Sequence, residues 1–170
     1  MPGVVKAYVR FVDALNRRIG GVVMYMIFVM IGVLLFAAIS RYFFNTPYIW
    51  AVDLSQFLMA AYYMLGGGFS LQQYAHVRMD ALYSRWQPRT KAFWDSITAF
   101  GLVFYLIWLL IGGFSSTFYS LETQQTAHSA WAPLIWPIKA VMTVGIGLML
   151  LQAVATFFRD LAHVTGRDLE

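Results

Sequence analysis

Ile19 to Ser40 reads IGGVVMYMIFVMIGVLLFAAIS, 22 residues without a charge, closed by Arg18 on one side and Arg41 on the other. A helix needs about 20 apolar residues to cross a ~30 Å hydrocarbon core. Lipid offers no partner to a bare backbone amide, so a run of this length crosses as a helix. Three further uncharged runs follow: 54–77 with 24 residues, 96–121 with 26 and 140–158 with 19. None alternates polar and apolar residues as a membrane barrel strand would. The first run is longer than a signal-peptide core of about 7–15 residues, and it reads as an uncleaved anchor.

Composition agrees. The chain has 170 residues, 60% hydrophobic and 12% charged. A soluble domain carries about 25% charged residues, and a water-facing surface with half that share would not stay dispersed. There is no cysteine, which excludes disulfides, thiolate metal sites and thiol redox chemistry. The net charge of +4 comes from basic residues that flank apolar runs, which argues for membrane orientation and against a nucleic-acid partner.

Ahead of the first run, Lys6, Arg10, Asp13 and Arg17 recur at helical spacing, with Val5, Tyr8, Val12, Leu15 and Ile19 in a similar rhythm on the other side. This pattern predicts a cationic amphipathic helix lying on the lipid surface. The expected architecture is therefore all-α: one membrane domain over 1–170, with a surface helix at 3–18, four transmembrane helices at 19–44, 52–77, 94–121 and 137–159, and a tail at 160–170.

Lys and Arg set the orientation. Ten lie in the N-terminal segment, the middle loop and the C-terminal tail, and two, Arg41 and Lys139, lie in the other loops. The positive-inside rule places both termini of this multi-pass chain in the cytoplasm. Trp50, Trp131 and Trp136 then fall at the outer interface. Asn45-Thr46-Pro47 ends the first helix, because proline disfavours helix at the residue before it.

Chemistry inside the spans is sparse. An ionisable side chain at bilayer depth marks function, and no run contains one beyond His76 at its end. The three histidines, His76, His128 and His163, stand at levels that do not suit axial haem ligation. Small residues recur four apart at Gly66 and Ser70, Gly112 and Ser116, and Thr143 and Gly147, a spacing that lets helices approach closely. No catalytic, metal or ligand-binding residue is expected, and no cofactor. The chain reads as a non-enzymatic accessory subunit. The competing readings are a self-sufficient small transporter and the membrane anchor of a redox complex.

One region carries a family resemblance: Arg41-Tyr42-Phe43-Phe44-Asn45, then Trp50-Ala51-Val52-Asp53, then Gly66-Gly67, then His76-Val77-Arg78-Met79-Asp80. In this order and spacing the motifs resemble the small, DctQ-type membrane subunit of tripartite ATP-independent periplasmic (TRAP) transporters. Gln87-Pro88-Arg89 and the Pro133 to Pro137 region also look like that family. Where family members often carry two adjacent acids after the tryptophan, this sequence has Val52-Asp53. The resemblance implies a scaffold for a large permease subunit, which imports a solute, often a carboxylate, with ion coupling that is usually to sodium. A periplasmic binding protein delivers the solute. It also singles out Arg41, Asn45, Trp50, Asp53, His76, Arg78 and Asp80 as residues of a subunit interface or of helix orientation. The implied partners are the large subunit, the binding protein in passing, and membrane lipids.

Overall fold

The computed structural model describes residues 3–73 and 88–164. Among them are four helices: α1 Gly3–Phe44, α2 Ile49–Gln72, α3 Pro88–Glu122 and α4 Trp136–Val164. Three are long and apolar enough to cross a membrane, over Val5–Phe44, Thr98–Glu122 and Trp136–Arg159. The expected second span begins on α2 and runs past the described residues at 74–77. α2 is not among the three, because Gln56, Tyr62, Tyr63 and the Gly66–Gly68 triplet interrupt its strongly apolar residues. It can carry them because α1 and α4 cover much of it.

The helices are arranged as a row, α1–α2–α4–α3. Extensive contacts join α1 to α2, α2 to α4 and α4 to α3, and a smaller set joins α1 to α4. The close approaches use small residues. A Cβ placed on Gly145 of α4 would lie 2.7 Å from the carbonyl carbon and oxygen of Met64 in α2, so the two backbones touch there. Beside this crossing Leu106, Ile146 and Ala153 form the buried centre, with Met64, Leu102, Leu110 and Met149 around it.

At the end that carries both termini, α1 also reaches α4 and the row closes into a triangle. Val9 and Val12 are buried with Ala155, and Val5 and Tyr8 pack against them. Here the structure departs from the sequence reading. Residues 3–44 form one continuous helix of 42 residues with no break at 18–19. Val5, Tyr8 and Val12 of the apolar stripe expected to lie on lipid pack in the cluster with Ala155 of α4 instead. Tertiary burial of Val9 and Val12 holds that segment in line with the span. At 1.5 Å per residue α1 is about 63 Å long, roughly twice the hydrocarbon thickness.

The small-residue pairs of the sequence are only partly used within the chain. Thr143 is buried and shares a hydrogen bond with Thr117 across α3 and α4 at 3.1 Å. Gly112, in contrast, has open space beside it and Ser116 is exposed. Their neighbours Gly113 and Gly67 meet Thr143 and Met149 instead.

Candidate functional site

Polar side chains gather at the two ends of the row. At the end formed by the short turns, α1 stops at Asn45, which takes the left-handed φ of 52°. Asn tolerates that conformation better than most residues, and it serves as the residue that ends a helix. The amide of Thr46 then bonds back to the Ser40 carbonyl. Phe36, Tyr48 and half-buried Trp50 form an aromatic cluster across the turn, with centroids 5.4 to 6.4 Å apart.

Asp53, one turn into α2, accepts a 2.5 Å hydrogen bond from the Ser129 hydroxyl of the α3–α4 loop. Ser129 Oγ in turn accepts from the amide of Ala132, 3.2 Å away. Ala132 has a left-handed φ of 46° without being glycine, so this bond holds a conformation the residue would otherwise leave. The loop is closed further by the Ala127 amide on the Pro133 carbonyl and the Ile135 amide on the Gln125 carbonyl. Lys139 donates to Gln125 Oε1 at 3.1 Å. Asp53 thus ties the start of α2 to the loop before α4. No ion pair joins Arg41 to Asp53, although they flank the same turn. Arg41 stands exposed on α1.

Of the seven residues taken from the motifs, the structure brings Asn45, Trp50, Asp53 and Arg41 to the turn end. His76, Arg78 and Asp80 lie outside the described residues.

The terminal end holds a cluster that the sequence reading passed over. Asn16 and Gln152 are buried, at 1% and 0% exposure. The Asn16 amide donates to Gln152 Oε1 at 2.8 Å and to the Val12 carbonyl at 3.2 Å. Gln152 donates to Asp13 Oδ1 at 2.9 Å, and Arg159 bonds Asp13 Oδ2 at 2.5 Å. Gln72 of α2 reaches the backbone carbonyl of Asp13 at 3.3 Å. Gly68 makes room for the group, since a Cβ there would lie 2.4 Å from Asn16 Oδ1. The cluster joins α1, α2 and α4. Its amide N–H groups find acceptors, while Asn16 Oδ1 and Gln72 Oε1 lie buried without a partner, and it offers no nucleophile beside a base, so its chemistry is that of helix positioning. A signal was present: Gln152 sits inside the uncharged run 140–158, and a search for ionisable groups alone does not see an amide.

The comparisons place the chain. The sialic acid TRAP transporter permease protein SiaT of Haemophilus influenzae (strain 86-028NP) is 23% identical over 136 residues, covering 78% of this chain and 22% of that protein. The chain therefore spans about a fifth of the length of that relative. Residues 30–163, which hold both turn-end motifs and all but the first part of the terminal cluster, match the DctQ component of tripartite ATP-independent periplasmic transporters, and the chain belongs to that family.

Proposed function

We propose that this chain is the non-catalytic small membrane subunit of a TRAP transporter. In this reading it crosses the inner membrane four times with both termini in the cytoplasm. It packs against a large permease subunit and holds it in the bilayer. The large subunit imports an organic acid, driven by sodium and delivered by a periplasmic binding protein. The match of residues 30–163 to the DctQ component carries the reading. Two physical observations support it. Among the described residues the middles of the helices carry no Asp, Glu, Lys, Arg or His, so they lack the mid-membrane charge that solute and ion paths use. The faces of α1 and α3 turned away from the row are apolar and exposed, with Phe28, Leu35, Phe104 and Trp108 among them.

Reconstitution tests the reading. Proteoliposomes with this chain alone should show no sodium-driven uptake. Adding the large subunit and the binding protein should restore it. Uptake by this chain alone would refute the scaffold role and favour the self-sufficient transporter.

A further inference from the structure

At the turn end, α1 and α2 part around a groove open to the outside of the row. One wall is the α1 face of Ala38, Arg41 and Asn45, spaced three and four apart. The other is Ile49 and Val52 of α2, and Pro47 of the turn between the helices also lines it. The order along the groove matters. Arg41 stands in the last turn of α1. Ala38 lies about one turn further back in α1 and Val52 about one turn into α2, and both line the groove. Arg41 is the groove's cation, Ala38, Ile49 and Val52 supply apolar wall, and Tyr42 and Tyr48 line it as well.

Arg41 is one of only two basic residues in the outer loops of the sequence reading. The acid nearest in sequence, Asp53, spends a carboxylate oxygen on Ser129, and no ion pair to Arg41 is present among the described residues. A guanidinium presents parallel N–H donors that match phosphate oxygens. An arginine that merely snorkels would need no recess beneath it.

We propose that this groove is a phospholipid site. The phosphodiester of one lipid sits on Arg41, and an acyl chain follows the apolar walls past Ala38 and Val52. The inference needs only that α1 and α2 cross the bilayer. It does not need the transport role, so either can fail without the other.

The test measures phospholipid retained by the full chain through detergent exchange, by native mass spectrometry. The probes are 1-palmitoyl-2-oleoyl-phosphatidylglycerol, the matching diacylglycerol and inorganic phosphate. Wild-type chain should retain one phosphatidylglycerol. R41Q should lower retention by at least about tenfold, the scale of losing a charge-assisted contact. A38F, which fills the groove and leaves the charge, should do the same. R18Q removes an exposed arginine at the other end and should change nothing. Equal retention by R41Q or A38F overturns the site. So does an equal loss in R18Q. Diacylglycerol held as well as phosphatidylglycerol would show a site for tails alone. Displacement by inorganic phosphate would show a free-anion site, and either result refutes the proposal.

Discussion

Gly145→Ala tests the packing of the row at its tightest point. The added Cβ would meet the Met64 carbonyl carbon and oxygen at 2.7 Å and Met64 Cβ at 2.9 Å. Ordinary contact begins at 3.4 Å, so α2 and α4 must separate locally by about 0.7 Å. The obstacle is backbone, which has no rotamer to escape into. Overpacking of this kind costs roughly 1–3 kcal/mol. Gly112→Ala in α3 supplies the control, because nothing lies within 4 Å of the Cβ it adds. There the change should gain roughly 0.5–1 kcal/mol from helix propensity. The two variants therefore move stability in opposite directions, though each is one methyl on a glycine in an apolar helix. Unfolding of the purified chain in mixed micelles with rising sodium dodecyl sulfate, followed by tryptophan fluorescence, reads the difference. If G145A proves as stable as G112A, α2 and α4 do not cross backbone to backbone, and the row order is wrong.

Asp53→Ala and Ser129→Ala should each free the 123–135 loop, costing about 1.5–3 kcal/mol for a hydrogen bond to a charged group. Faster limited proteolysis in that loop reports it, and the double variant should be no worse than either single one. Asn16→Leu should leave the Gln152 amide buried with a partner missing, at roughly 1–3 kcal/mol, while Asn16→Leu with Gln152→Leu should recover part of the loss. Thermal unfolding of the four chains closes this cycle, and additive losses would show that the two amides are not paired. Topology can be read by single cysteines, since the native chain has none. Positions 47 and 126 should label with an impermeant thiol reagent in intact cells, positions 6, 87 and 165 should not, and labelling at 87 would reverse the orientation.

The apolar runs were legible because lipid imposes a coarse, long-range demand on composition. Each of the runs at 19–40, 96–121 and 140–158 lies inside a helix of the structure, and the turn at Asn45-Thr46-Pro47 falls where proline placed it. What escaped was set by partners distant in sequence. Nothing local says that Val9 and Val12 meet Ala155, so the first helix read as two pieces. The pairing of Asp53 with Ser129 depends on where a loop 76 positions away comes to rest. Small-residue spacing failed in a third way. Gly66, Gly67 and Gly68 differ by about 100° each around a helix, and their spacing does not say which one faces a neighbour. The structure puts Gly67 and Gly68 against Met149 and Asn16, and leaves Gly66 with looser contact to Val23.

Polarity along the row falls with distance from the terminal end, and the fall has a cause. Asp13 and Arg159 form an ion pair whose side chains keep 21% and 22% exposure. One turn further in on α1, at Asn16, and about two turns on α4, at Gln152, the polar groups are neutral amides and fully buried. Gly68 stands against Asn16 at that level, and further along comes the bare backbone crossing at Gly145 and Met64. A charge moved into lipid costs several times what a paired amide does, so each bond type stands at the depth it tolerates. The carboxylate returns only at the turn end, with Asp53. The helices are therefore tied by directional bonds at both ends and by close contact between them. A row held in this way resists sliding of one helix along another, because a slip of one turn would break both sets of bonds together. It does not cover its own flanks, and the exposed aromatic faces of α1 and α3 are left for lipid or a partner to bury.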